Sequence, residues 1–371
     1  MTPNMYPSGV GEFSETELNS EALVTARESR GRSQADVATA AGINQGLMSK
    51  AEHGLLNLKP EHVEEIANYL NYPIDLFYEP GRIRTTPSAC LHYMKRKTLP
   101  AGILKKLTAQ MELRVVSVRR LLSDLELDAD REFCNLDPDE YNGPVEVARI
   151  LRRLWRVPRG PIPNMVALLE SAGAMVILSE FGTSKLMGMS CSAKDSAPLF
   201  FLNGQTSVAD RRWTMAHELG HLTMHNAFPP SGDIEKEADA FAAEFLAPSS
   251  EIGSTLGNLR FEDLGMHKSL WKISMKAIIK YASALGVISQ DHAVRLYKQH
   301  SARGYNRIEP YDSPPELPTL MGVAANVYLK DYGYTLAELS QRVALMNEDE
   351  FLEKILMEPQ RSSGKIVKLF A

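Results

Sequence analysis

The sequence predicts a mainly α-helical chain with one small β-sheet, an α+β arrangement built from more than one domain. Apolar residues recur at helical spacing through most of the 371 residues. Only two short runs, Ala174-Met-Val-Ile-Leu178 and Leu199-Phe-Phe-Leu202, read as strands. The length also exceeds what one hydrophobic core usually organises.

The composition is that of an ordinary globular protein, 44% hydrophobic and 23% charged, with no low-complexity tract. No apolar run approaches the roughly 18 residues that cross a bilayer, so no membrane partner is expected. The opening Met-Thr-Pro-Asn-Met-Tyr-Pro lacks the basic and apolar regions of a signal peptide, and the expected location is cytoplasmic. Cys90, Cys134 and Cys191 are odd in number and widely spaced, which argues against a disulfide framework and against a cysteine zinc site.

Taken in order, residues 1–17 read as a polar arm and residues 18–80 as an N-terminal domain of five short helices. Within it, helices over 34–41 and 45–52 flank the turn Gly42-Ile43-Asn44 and fit a helix-turn-helix. Ala38, Ile43 and Met48 fall where the two helices pack, Ser33 with Asp36 makes a capping box, and Asn44 caps the second helix. Residues 81–142 read as a basic linker and a long amphipathic helix over 99–126. A second domain over 143–250 is expected to hold helices at 144–157, 162–172, 208–225 and 234–246 around the two strands. The strand at Leu199–Asn203 could be an edge that pairs with an extended substrate, although a buried strand is the plainer expectation. Residues 251–371 read as a helical C-terminal region with a loop at 303–318 and a capping box at Thr335-Leu-Ala-Glu338.

The charge is uneven. Residues 1–80 hold five Lys/Arg against twelve Asp/Glu, a net of −7, whereas residues 82–120 hold ten against one, a net of +9. In a helix-turn-helix, Gln34, Gln45, Gly46, Ser49 and Lys50 are the residues expected to face double-stranded DNA. Glutamine can read adenine, and lysine can reach guanine or a phosphate. An acidic module lacks the usual attraction to phosphates, which a homodimer or the basic stretch, with Lys95-Arg-Lys97 in it, could supply. The competing expectation is that the basic stretch docks against the acidic module or the second domain.

The segment from Arg212 to His225 carries His217-Glu-Leu-Gly-His221. Two histidines four apart on a helix share one face and can share one ion, with the intervening Glu218 beside it. His225 stands about 12 Å along the helix from His217, too far for one ion to reach both, and is expected to be a structural histidine or one that supports a ligand from behind. On the next helix Glu235 lies about 50° from the centre of the stripe formed by Ala238, Phe241, Ala242, Phe245 and Leu246, and Glu237 about 110° away. Glu235 is therefore expected to look inward as third ligand and Glu237 outward. Asp239, one turn on, can accept a proton from a ligand histidine and fix its tautomer. Two histidines and one glutamate leave an open fourth position, as a catalytic Zn2+ requires. Glu218 would then take the proton of the attacking water and pass it to the leaving amine.

Residues 18–80 resemble a Cro/C1-type (XRE) helix-turn-helix, through Arg27-x-x-x-Gly31-x-Ser33-Gln34 and the Ala38-x-x-x-Gly42-Ile43 turn. Residues from about 144 to 248 resemble the ImmA/IrrE metallopeptidases, through Arg159-Gly-Pro-Ile-Pro-Asn164, Leu168 to Gly173, Arg212 to His225, and Glu235 to Pro248. Trp271 to Ala277 and Gly304 to Pro310 are similar to the tail of fused proteins in this group. The resemblance implies a gluzincin-like fold, a ligand role for Glu235, and a narrow substrate range. The implied substrate is a repressor bearing the same kind of helix-turn-helix, cut to derepress mobile-element or stress genes. This chain departs from the pattern in the acidity of its module and in Ala51, where a branched apolar residue is common. The rival expectation is a transcription regulator or antitoxin whose metal-binding domain does not turn over; the presence of Glu218 favours the enzyme.

Overall fold

Short capped helices open the described part of the chain, which in the computed structural model comprises residues 17–84, 100–192, 197–228, 232–355 and 365–368. By its internal contacts the chain separates into two units, one of Met1–Asp128, Ala193–Ala197 and Thr319–Ala371, the other of Ala129–Ser192 and Pro198–Pro318. These divisions fall at 128/129 and 318/319 rather than at the 142/143 and 250/251 boundaries drawn from sequence.

In the first unit, α1 (Ser20–Ser29) starts where the Asn19 side chain accepts from the Ala22 N–H, and α2 (Gln34–Ala40) starts on the Ser33–Asp36 capping box. Gly42, at φ +67°, turns the chain into α3 (Gln45–Glu52), which Asn44 caps through the Leu47 N–H. Helix α4 (Pro60–Leu70) ends on left-handed Asn71, and a 3-10 turn at Ile74–Tyr78 is the fifth helix of the module. Ala38 and Met48 are buried between α2 and α3, with Ile43 packed against them, as the sequence spacing requires. Arg27 donates to both oxygens of Glu52, and Gln34 Nε2 donates to Glu52 Oε2 at 2.7 Å.

The basic stretch belongs to this module. Ile83 is fully buried, and the Ile83 and Arg84 N–H groups donate to Glu21, so residues 81–84 are not a free linker. Helix α5 (Ala101–Leu121) places Leu113 and Val116 in the core of α1 to α4. Six of the ten cations at 82–120 pair inside the unit: Arg82 with Glu21, Arg84 and Lys105 with Glu28, Arg119 and Arg120 with Glu79, and Arg114 with Glu350. Of the two roles expected for the stretch, docking on the acidic module is the one these pairs support. Lys95, Arg96 and Lys97, the candidate phosphate contacts, lie outside the described residues. The long helix stops at Leu121 rather than 126, because Leu125-Glu-Leu-Asp128 alternates with period two and forms β1, paired antiparallel with Lys365–Lys368.

The second unit holds α6 (Pro144–Leu154), α7 (Met165–Glu170) and a three-stranded sheet of β2 (Met175–Ser179), β3 (Gly188–Cys191) and β4 (Leu199–Asn203). The order is β2-β4-β3, with β2 parallel and β3 antiparallel to β4. Strand β4 is central and buried throughout, which removes it as an edge for an extended substrate. Helix α8 (Val208–Met224) buries Met215, Leu219 and Leu222, and α9 (Ile234–Leu246) buries Phe241, Ala242, Phe245 and Leu246, in one core with Phe200 and Leu202. Helices α10 (Ser249–Leu256), α11 (Leu264–Trp271), α12 (Met275–Ala284) and α13 (Gln290–Ala302) complete the unit. Arg212, fully buried, pairs with Glu316 and donates to the Ile162 carbonyl; Glu309 accepts from Lys268 and the Met275 N–H and bonds His300. Cys134 and Cys191 form no disulfide, Cys90 lies outside the described residues, and no described helix is long and apolar enough to cross a membrane.

One buried acid of the first unit sets a pH dependence. Burial pushes Glu112 up to about 7, with the charges of Glu28 and Glu21 adding to the effect and Arg84 opposing it. A folded value above the ordinary one means the folded chain binds this proton more tightly. The resulting stability is fully present below the ordinary value of 4.5 and is lost as pH rises through about 7. Glu112→Gln should therefore raise stability at pH 8 by about 1–3 kcal/mol and change it little near pH 4.5. Thermal unfolding at both pH values checks this; an equal effect at the two would refute it.

Candidate metal centre

The second unit brings the histidine motif of α8 against the acidic start of α9. Ser207 caps α8 through the Asp210 N–H, and Asp233 caps α9 through the Lys236 N–H, so each helix begins where its ligand-bearing turn needs it. Gly220 lets the helices close. A Cβ there would lie 3.0–3.3 Å from ring and Cβ atoms of Phe241. On the other side of α8, a Cβ on Gly188 of β3 would meet Thr214 at 2.6 Å, so the strand too is pressed onto the helix.

This packing gathers His217, His221 and Glu235, whose ligand atoms lie within 4.8 Å of one another. The Nε2 atoms of His217 and His221 are 3.0 Å apart, and each is 3.6 Å from an oxygen of Glu235. Donors about 2.1 Å from one tetrahedral ion stand about 3.4 Å apart, so the trio fits one zinc-sized ion. It is the cluster of this kind among the described residues. The electrostatics agree with a cation site. Burial pulls the His217 imidazole down, but hydrogen bonds to Asp239 and Glu235 and the charges of Glu218 and Asp239 outweigh it and push it up to about 9. These neighbours favour positive charge at the place where the ligand atoms meet.

The surrounding polar groups are ordered. His217 Nδ1 is 3.1 Å from Asp239 Oδ1, and Lys280 of α12 donates to Asp239 Oδ2 at 2.6 Å. Burial raises Asp239, yet the hydrogen bonds from His217 and Lys280 hold it well below the usual carboxylate range. Glu218 is buried, and its Oε2 accepts from Ser190 Oγ of β3 at 2.8 Å. His225, the C-cap of α8, does not join the trio; its Nδ1 is 2.9 Å from His221 Nδ1 and its Nε2 is 2.8 Å from Glu237 Oε2. Burial pulls His225 below the ordinary imidazole value, and Glu237 only partly opposes this. Glu237 therefore does not look outward: its side chain is 20% exposed against 35% for Glu235. The wheel treats α9 as facing one flat surface, whereas His225 extends the face of α8 beyond the end of that stripe.

Ser190, Lys280 and the pairing of Glu237 with His225 were not assigned from sequence. Strand β3 is four residues, Gly-Met-Ser-Cys, without alternating hydrophobicity, and Lys280 lies 41 positions from its partner. In the first unit, Gln45, Gly46 and Lys50 are exposed at α3 and Ser49 is half-buried, while Gln34 is held by Glu52.

Comparison with family models matches residues 23–77 to Helix-turn-helix and residues 169–280 to the IrrE N-terminal-like domain of the Peptidase M78 family. The two stand in the order that the sequence resemblance implies. The chain joins a helix-turn-helix DNA-binding module to a metallopeptidase-type domain. The second match spans α8, α9 and Lys280. Comparison with the curated proteins and with the solved structures found no match.

Because Gly220 sets the spacing of α8 and α9, Gly220→Val should lower stability by about 1–3 kcal/mol through overpacking and reduce bound metal as well. Thermal unfolding in chelator and metal content of the refolded chain measure the two effects. Unchanged values for both would show that the contact does not hold the ligand geometry.

Proposed function

We propose that this chain is a zinc-dependent endopeptidase that carries its own DNA-binding module and cuts a transcriptional repressor. The observation that carries the reading is the convergence of His217 and His221 from α8 and Glu235 from α9, with Glu218 beside them. His217, His221 and Glu235 would hold the ion. Zinc, when bound, supplies the Lewis acidity that makes water nucleophilic near neutral pH.

The chain's own residues supply the rest. Glu218 is the general base: its carboxylate accepts the proton of the attacking water and returns it to the leaving amine. Ser190 donates to one of its oxygens, which fixes the carboxylate's orientation. Asp239 accepts from His217 Nδ1, so that His217 turns its Nε2 lone pair toward the ligand cluster. The low exposure of Glu218 and His221 keeps bulk water from competing with their hydrogen bonds. A repressor bearing a helix-turn-helix is the substrate class that the family resemblance implies, and stress or mobile-element genes are the setting it suggests.

A regulator that holds metal without turnover is the second reading, favoured by the module at residues 23–77. Glu218 separates the two, since a metal-holding scaffold has no use for a buried base hydrogen-bonded by Ser190.

His217→Ala, His221→Ala and Glu235→Ala should each lose the roughly one zinc per chain that the wild type holds. Glu218→Gln should keep the metal and lower cleavage of a susceptible repressor by at least about 100-fold. Metal analysis and a cleavage assay decide both; a Glu218→Gln chain that cuts at the wild-type rate would remove Glu218 as base. For the module, Gln45→Ala with Lys50→Ala should reduce the preference for one DNA sequence over others by about 1–3 kcal/mol, read from binding to matched and scrambled duplexes.

A further inference from the structure

The end of α8 and the start of α9 share a chain of hydrogen bonds that the ligand trio alone does not require. His221 Nδ1 lies 2.9 Å from His225 Nδ1, and His225 Nε2 lies 2.8 Å from Glu237 Oε2. Both histidines are buried. The turn before α9 makes room for the carboxylate: a Cβ on Gly232 would sit 2.4 Å from Glu237 Oε1.

The direction of these bonds follows from donor chemistry. An ionised carboxylate only accepts, so His225 donates from Nε2 to Glu237. A neutral imidazole has one N–H, so His225 Nδ1 then accepts, and the donor across the 2.9 Å contact is His221 Nδ1. His221 is left with a bare Nε2, and that atom faces His217 Nε2 and Glu235. The reverse polarity, with His225 donating from Nδ1, would put the His221 proton on Nε2, where the ion must bind.

We propose that His225 and Glu237 are positioning residues that set the tautomer and ring orientation of His221 for metal binding. The inference rests on the reading of His217, His221 and Glu235 as zinc ligands. Asp239 serves His217 directly, through one contact; His221 is linked to Glu237 through the intermediate ring of His225. Outer partners of this kind typically change metal affinity by about 10–100-fold.

The test uses the full chain and zinc, with affinity measured by competition against a chromophoric chelator and stability of the metal-free protein measured alongside. His225→Leu and Glu237→Leu should each weaken zinc binding by about 10–100-fold. His225→Gln keeps an acceptor toward His221 and a donor toward Glu237, and should stay within about threefold of wild type. The double variant His225→Leu with Glu237→Leu should bind no more weakly than His225→Leu alone, because one break already interrupts the chain. Wild-type affinity in His225→Leu, or additive losses in the double variant, would overturn the positioning role while leaving the zinc reading intact. So would a loss shared equally by His225→Leu and His225→Gln and matched by lower metal-free stability, which is what a packing role alone would give. Absence of zinc from the wild type would instead overturn the underlying reading, and this inference with it.

Discussion

The close approach of α8 and α9 at Gly220 is the constraint on which the candidate site depends. Neither helix holds a complete ligand set. His217 and His221 come from one, Glu235 from the other, and the ligand atoms meet within 4.8 Å only because Phe241 lies against a residue with no side chain. Packed helices usually sit 8–10 Å apart, at a distance that the contact side chains decide. The buried stripes Met215-Leu219-Leu222 and Phe241-Phe245 pull the helices together, and Gly220 sets how far they travel. The apolar core and the polar cluster are thus two faces of one packing arrangement. A change that loosens the first also spreads the second.

In the first unit the organising interaction is electrostatic. The sum of charges over residues 1–80 suggests a module that DNA would repel, and the sum over residues 82–120 suggests a separate basic arm. Both sums are misleading, because they ignore who pairs with whom. Glu28 faces Arg84 and Lys105, and Glu79 faces Arg119 and Arg120; both acids are buried. Helix α5 thereby neutralises part of the module's acidity from within, while Leu113 and Val116 supply apolar contact. The exposed face of α3 carries Lys50 and Gln45. Its local potential, rather than the net charge of the segment, governs any approach of DNA.

What could be read from sequence was local. The capping residues Ser33, Asn44, Ser207 and Thr335 mark helix starts through contacts three residues away, and each start was legible for that reason. The stripes of α8 and α9 were legible because helical periodicity is a property of the chain itself. The inward bearing of Glu235 followed from the same periodicity. The partners of the ligands were not legible, because they are set by tertiary contacts: Ser190 reaches Glu218 across 28 positions, and Lys280 reaches Asp239 across 41. Glu237 was misread because a helical wheel assumes that burial comes from one side, and His225 buries it from another. The strand at 188–191 was missed because its fit depends on Gly188 lying against Thr214, which no alternation of residue types announces.

Four carboxylates, Glu218, Glu235, Glu237 and Asp239, surround three histidines within two helices, and their chemistry is the same. Position alone gives them different work. Glu235 faces the Nε2 atoms of both His217 and His221, so it can share an ion with them. Asp239 faces Nδ1 of His217, whose far nitrogen belongs to the ligand cluster, whereas Glu237 faces Nε2 of His225, whose far nitrogen contacts His221 Nδ1, so neither carboxylate lies in the cluster itself. Glu218 contacts Ser190 and sits between the two histidines of the motif, beside the cluster and not within it. In the proposed function, the carboxylate left beside the ligand cluster is the one that would accept a proton from water. A substitution among these four that conserves charge but moves the carboxylate by one methylene would therefore break the contact that defines its role, which is why the arrangement reads as a site and not as an acidic patch.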